Sequence, residues 1–250
     1  MNRRIQEANE ALSHFFFPAV CQVCEVERAG PGEGFVCGCC REEVRFVEAP
    51  FCGCCGLPFD GEFAGEFECA NCKEMDLKFD FARSAVRANG PIRDIIHRYK
   101  YNQETWFEEF LGELLLHAID DSLDGSAWDG LVPVPLYHAR EREREFNQAE
   151  RLARWIGKRL DKPTHARWLK RSRPTKTQTA LTRKERMENV RKAFGLKQPE
   201  LVAGKSFIII DDVLTTGATT SACAGILKKA GAARVGVWTV ARATFGPPLA

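Results

Sequence analysis

Phe207-Ile208-Ile209-Ile210-Asp211-Asp212-Val213-Leu214-Thr215-Thr216-Gly217-Ala218-Thr219 is the stretch whose reading decides the fold. Ser206 to Val213 is a near-continuous apolar run of strand length, as expected of a central parallel strand buried on both faces. It delivers two adjacent carboxylates, Asp211 and Asp212, to its carboxyl end, where open α/β sheets place ligands. A loop of small hydroxyl residues around Gly217 follows and runs directly into a helix. Such a loop presents backbone N–H groups and Thr hydroxyls at a helix N-terminus, which is an anion site. Carboxylates are poor neighbours for a bare phosphate. They suit a phosphorylated sugar, whose hydroxyls meet the acids while its phosphate meets the loop. The plainer alternative is an ordinary strand–turn–helix with exposed acids.

Outward from this segment, strands and helices alternate. Phe81 to Ala88 reads as a strand closed by Asn89-Gly90, and Pro91 opens a helix over Ile92–Tyr99. Thr105 to Asp120 carries Phe107, Phe110, Leu111, Leu114, Leu115 and Ile119 as a helical stripe. Gly130 to Leu136 reads as a strand broken by Pro133 and Pro135. Phe146 to Leu160 reads as a helix with Ala149, Leu152, Ala153, Ile156 and Leu160 on one side, and Trp168-Leu169 as part of a short strand. Ser221 to Ala230 is expected to be a helix ending at Gly231, and Arg234 to Val240 a further strand. This alternation predicts an α/β, doubly wound parallel sheet with flanking helices. The five Trp residues are expected in its core, and Cys223 is expected as a small buried side chain.

Ahead of this body lies a head of a different kind. Ten of the 11 cysteines fall between Cys21 and Cys72, and four Cys-x-x-Cys pairs stand in order: Cys21/Cys24, Cys37/Cys40, Cys52/Cys55 and Cys69/Cys72. Cys39 and Cys54 are extras. Twelve residues separate Cys24 from Cys37 and thirteen separate Cys55 from Cys69, close to zinc-ribbon loop lengths. Two Cys-x-x-Cys turns supply the four soft ligands of a tetrahedral zinc, so eight ligands suit two structural Zn²⁺ ions. The spacing leaves open whether the pairs combine sequentially or as a cross-brace. A disulfide framework is the alternative, but it needs an oxidising compartment that nothing in the sequence indicates. Residues 1–80, an N-terminal helix and the Cys-rich ribbon, are therefore expected as one domain and 81–250 as another.

Composition narrows the classes further. The chain has 250 residues, 44% of them hydrophobic, with 20 Gly and 12 Pro, which excludes disordered and low-complexity proteins. No stretch approaches the roughly 18 apolar residues of a membrane span. Glu7, Glu10 and His14 interrupt any signal-peptide core, so a cytoplasmic location is expected. The net charge of +2 is an average of opposites. Residues 1–80 hold 7 Lys and Arg against 15 Asp and Glu, whereas His138 to Lys192 holds 18 against 7. A basic excess of that size can meet pyrophosphate, solvent or a nucleic-acid backbone.

The segment from Phe207 to Thr219 resembles the phosphoribosyl-pyrophosphate motif of type I phosphoribosyltransferases: four apolar residues, two acids, then Thr-Thr-Gly-x-Thr. The resemblance implies that Asp211 and Asp212 hold the ribose hydroxyls and that Thr215, Thr216, Gly217, Ala218 and Thr219 hold the 5′-phosphate, with Mg²⁺ accompanying the substrate. Val132-Pro-Val-Pro-Leu136 resembles the loop that receives pyrophosphate there, which implies roles for Val134 and Pro135, with Arg140, Arg142 and Arg144 countering the charge. Residues 171–191 would be the closing loop, where Lys176, Arg183, Lys184 and Arg186 can meet pyrophosphate.

Four further features resemble the competence-protein ComF family. These are Ile96-His-Arg-Tyr-Lys-Tyr101, Phe146-Asn-Gln-Ala-Glu150, the pattern Arg173/Gln178/Leu181/Arg186/Asn189/Ala193-Phe194, and the N-terminal Cys-x-x-Cys region. The likeness adds Lys100, Gln178 and Arg186 to the expected substrate contacts. It also implies service in natural transformation, with single-stranded DNA and a helicase-like competence partner. A phosphoribosyl transfer to an unnamed acceptor is one reading. A non-catalytic DNA-handling protein that keeps the site as a sensor is the other. One departure stands out: relatives usually have Gly before the Phe/Tyr-Asn-Gln, where this chain has Glu145, an acid next to the expected pyrophosphate site.

Overall fold

A computed structural model describes residues 19–61, 67–117, 119, 127–172 and 193–244. Two short helices, α1 (Gly38–Glu42) and α2 (Ala70–Glu74), belong to the Cys-rich head. The body follows as β1 (Phe81–Arg87), α3 (Gly90–Tyr101), α4 (Glu108–His117), β2 (Gly130–Pro133), α5 (His138–Arg144) and α6 (Gln148–Arg159). It continues through β3 (Leu169–Arg171), β4 (Phe194–Leu196), β5 (Ser206–Leu214), α7 (Ala218–Lys229) and β6 (Arg234–Arg242).

Four strands make a parallel sheet in the order β1-β6-β5-β2, and β3 and β4 form a separate antiparallel pair. Phe207, Ile208, Ile209 and Ile210 are all fully buried, because β5 has a strand on each side and helices above and below. Alternation sends Ile208 and Ile210 into a core shared with Ile95 of α3, Leu111 of α4 and Ile156 of α6. Phe207 and Ile209 enter the opposite core with Cys223 and Leu227 of α7. Helices on both faces follow from strands that are apolar on both faces.

The expected elements of the body form, with shifted ends, while the expected N-terminal helix lies outside the described residues. β2 stops at Pro133 rather than Leu136, since prolines lack the N–H that a ladder uses. The helix expected from Phe146 starts at Gln148, because the Asn147 side chain accepts from the N–H groups of Ala149 and Glu150 and caps it. α7 begins three residues earlier than its apolar pattern indicates, directly after Gly217. α5 and β4 are additions to the sequence reading. Four of the five tryptophans are buried, and Cys223 is too, but Trp106 is 43% exposed.

Backbone hydrogen bonds join the head to the body. The chain between the two Cys groups pairs with the outer strand β1: Val47 N–H donates to Ala85 O at 2.9 Å and Arg87 N–H to Arg45 O at 2.7 Å. From the second Cys group, Cys54 O accepts from Ala82 N–H at 2.7 Å.

Glu145 closes α5 in the left-handed region, at φ 66° and ψ −10°. That conformation explains the glycine of the resembling family, since a Cβ there costs roughly 1–2 kcal/mol. Glu145→Gly should therefore raise stability by roughly 0.5–1 kcal/mol, the relief being partly offset by the freer unfolded chain. Urea unfolding followed by tryptophan fluorescence measures it, and an unchanged or lower midpoint would refute the assignment of strain.

Candidate functional site

A cavity of ≈ 480 Å³ opens at the carboxyl ends of β5 and β2. The loop after β5 forms its floor. Gly217 sits at φ 83° as the residue before α7, a left-handed turn that lets the chain swing from strand to helix. Thr216 is buried, and its hydroxyl accepts from Ala218 N–H at 3.4 Å. Thr220 donates back to Gly217 O at 3.1 Å and so closes the first helical turn.

The two acids differ. Asp212 is buried and ion-paired with Lys100 at 2.8 Å, which brings the end of α3 to the end of β5. Asp211 is half-buried, and its carboxyl accepts from Asp212 N–H at 2.9 Å. Burial first, and the neighbouring Asp212 charge second, push Asp211 up to about 7. Lys100 pulls in the other direction and loses. The site thus holds a carboxyl that gives up its proton near neutrality (an arrangement common at functional sites).

Of the residues expected from the sequence, Lys100, Val134, Arg140, Asp211, Asp212, Thr215, Thr216, Gly217, Ala218 and Thr219 line this one cavity. Pro135 lies between Val134 and Leu136, which do line it, and is not itself a lining residue. Gln178 and Arg186, with the expected closing loop from residue 173 to its end at 191, lie outside the described residues. Glu145 is exposed and outside the lining, so its charge does not face the ligand space.

Arg144, expected from the sequence to counter pyrophosphate, lines the cavity too, and Gln148 and Arg171 are among the further side chains of the wall. Arg171 is lowered from the usual guanidinium range by burial and then by the charge of Arg140, so two cations face one space. Arg144 is buried, with its guanidinium 4.6 Å from the centre of the Tyr101 ring. Gln148 is 4% exposed, and its Oε1 has no hydrogen-bond partner among the described residues. Asn147 joins the wall to the sheet, donating from Nδ2 to Val134 O at 3.0 Å. Arg144 and Gln148 lie in runs the sequence already marked, and Arg171 opens the stretch 171–191 expected to close over the site.

The cysteines resolve into two sets, Cys21/Cys24/Cys37/Cys40 and Cys52/Cys55/Cys69/Cys72, so the pairs combine sequentially. Neighbouring sulfurs stand 3.5–3.7 Å apart. No disulfide bridges them, and the spacing is near the ~3.8 Å tetrahedral edge expected for Zn–S bonds of ~2.3 Å. Both sets are consistent with a structural zinc ion. Backbone N–H groups of Val23 and Cys37 point at Cys21 Sγ, at 3.4 and 3.3 Å, as donors to a thiolate do. Cys55 is lowered to about 4 by its hydrogen bond with Cys72, with Arg242 adding to it.

Comparison with known proteins agrees with both halves. Residues 12–73 match the model of a double zinc ribbon domain and residues 148–245 that of a phosphoribosyl transferase domain. The chain is 30% identical over 212 residues to competence protein F of Haemophilus influenzae, covering 83% of this chain and 90% of that one. It is 29% identical over 232 residues to the DNA utilization protein YhgH of Escherichia coli K12, covering 90% and 97%. Competence protein ComFC of Bacillus subtilis is 27% identical over 218 residues, covering 83% and 84%. No helix among the described residues is long and apolar enough to cross a membrane.

The raised Asp211 carries a stability signature. Folded, it releases its proton near 7, and unfolded in the ordinary range near ~4. The folded chain therefore holds the extra proton between those values, so stability falls as pH rises through that window and stays reduced above it. Asp211→Asn removes the titration, and its melting temperature should exceed the wild type's by more at pH 8 than at pH 6. Paired thermal melts decide it, and a constant difference would show that Asp211 ionises normally.

Proposed function

Since the chain belongs to the competence protein F family, we propose that it binds phosphoribosyl pyrophosphate with Mg²⁺ and transfers or recognises the phosphoribosyl group in the course of DNA uptake. The observation that carries this reading is a single cavity uniting an anion loop, a carboxylate pair and four cationic side chains, Lys100, Arg140, Arg144 and Arg171.

The 5′-phosphate sits on the loop from Thr215 to Thr219, at the N-terminus of α7, where amide dipoles and hydroxyls stabilise it. Asp211 and Asp212 accept from the ribose hydroxyls. Lys100 pairs with Asp212 at 2.8 Å and leaves Asp211 open to the ribose. The arginines face the pyrophosphate. In transfer, the C1–O bond to pyrophosphate breaks with its electron pair leaving on the oxygen, and an acceptor nucleophile bonds to C1. Cations fixed beside the leaving group stabilise that charge as it develops. The carboxylate oxygens and substrate phosphates make the hard donor set that Mg²⁺ takes, and Mg²⁺ when bound neutralises part of the pyrophosphate charge. Reduced Cys₄ sites belong to a reducing compartment, so we place the protein in the cytoplasm.

The test is calorimetry with phosphoribosyl pyrophosphate and Mg²⁺. Wild-type protein should bind, while Asp211→Asn combined with Asp212→Asn should lose binding with circular dichroism unchanged. Binding that survives in the double variant sinks the reading. Pyrophosphate release assayed across acceptors, DNA among them, then separates transfer from recognition.

The basic run from His138 to Lys192, 18 cationic against 7 acidic residues, favours a second reading in which the body tracks single-stranded DNA and the cavity acts as a sensor. Affinity for an oligonucleotide should then fall linearly with salt on a log–log plot, by about 0.7 per phosphate contacted. A flat slope would dismiss backbone contacts.

A further inference from the structure

Behind the anion loop lies a guanidinium that the chemistry above leaves unused. Arg242, the last residue of β6, is fully buried. Its Nη1 donates to three carbonyls: Leu214 O at 2.9 Å, Thr215 O at 2.6 Å and Ala243 O at 2.8 Å. The rest of the same planar group turns to the second Cys set, with Nε on Cys55 O at 3.2 Å and Nη2 on Cys55 Sγ at 3.3 Å. Asn71, buried between Cys69 and Cys72, adds a second tie by donating from Nδ2 to Thr216 O at 3.1 Å.

Three consecutive carbonyls of the anion loop, those of Leu214, Thr215 and Thr216, are thus held from the side of the second Cys₄ set. In a planar trans peptide the N–H points opposite to the C=O. Anchoring these carbonyls therefore turns the N–H groups of Thr215, Thr216 and Gly217 to the other side, where the same residues line the cavity. Those three N–H groups donate to nothing else among the described residues. The first Cys₄ set has a different attachment: Arg41 next to it meets Glu113 of α4 at 2.9 Å, and Gln22 O accepts from Arg98 of α3.

We propose that the second Cys₄ zinc centre sets the conformation of the anion loop, with Arg242 and Asn71 as the positioning residues, so that zinc in that centre and sugar phosphate in the cavity strengthen each other's binding. The zinc fixes Cys55, Cys69 and Cys72, and these fix the two donors. Without it, Arg242 loses one edge of its partners and the loop carbonyls are free to turn. The inference rests on the sugar-phosphate reading above and adds a metal dependence to it, confined to one of two chemically alike centres. Coupling between two sites is reciprocal, so it is readable from the zinc side without any turnover.

The experiment uses the full chain loaded with two zinc ions. Equilibrium competition against a chromogenic chelator is run with and without saturating ribose 5-phosphate, whose own binding is followed by calorimetry in the same samples. One zinc should be held at least about fivefold tighter in the presence of the sugar phosphate, and the other should be unaffected. Asn71→Ala, which removes one hydrogen bond, should weaken ribose 5-phosphate about fivefold and reduce the protection while keeping both zinc ions. Arg242→Lys should do more, since an ammonium cannot span the acceptors a guanidinium does. If that variant fails to fold, wild type and Asn71→Ala decide. Sugar phosphate that binds while protecting neither zinc, or protecting both equally, overturns the coupling and leaves the sugar-phosphate site standing. No calorimetric binding by the wild type overturns both.

Discussion

The ion pair of Asp212 with Lys100 is the interaction on which the site depends. Two adjacent carboxylates at the end of a buried strand repel each other and lose hydration. Like charges that close disfavour the charged form of the pair. Lys100 arrives from the last turn of α3, next to β1 and far from β5 in sequence. It meets one acid and leaves the other near its titration point. The parallel sheet makes this possible by ending all four strands on the same side, so that residues from α3, the loop after β2 and the loop after β5 surround one space.

Most of this architecture was legible where structure is local. The run from Phe207 to Ile210 reads as a doubly buried strand and is one. The Thr-Thr-Gly-x-Thr turn needs only its own residues to be recognised, and Cys-x-x-Cys spacing announces metal sites by itself. What escaped the sequence has physical reasons. α5 is made of alternating Arg and Glu after its first residues, so no apolar period marks it. The end of β2 is decided by the prolines, and the start of α6 by a cap. Trp106 defeats the rule that large aromatics are buried, standing at 43% exposure where the chain enters α4. Arg242 and Asn71 reach partners 187 and 145 residues away, and no spacing encodes that.

The cysteine head also differs from an appended finger. Cys21, Cys37 and Cys40 sit in the same apolar cluster as Ile92, Leu111 and Leu115, while the second set forms a smaller cluster against the loop side of the sheet. A short Cys-rich segment has few large aliphatics with which to build a core of its own. Here it shares the core of the body, and cations of the body reach it: Arg87 pairs with Asp60 at 2.7 Å and Arg242 donates to Cys55 Sγ at 3.3 Å.

The backbone pairing of the head with β1 has one more consequence. β1 is the last strand of its sheet, and an uncovered terminal strand offers a row of free N–H and C=O groups to any passing chain. Residues 45–47 and Cys54 occupy that row with their own backbone. The cysteine head is in this sense a lid on sticky wiring: it keeps a parallel sheet of apolar strands from being extended by a neighbour. Losing its metal would not merely loosen a peripheral module but uncover a template for self-association.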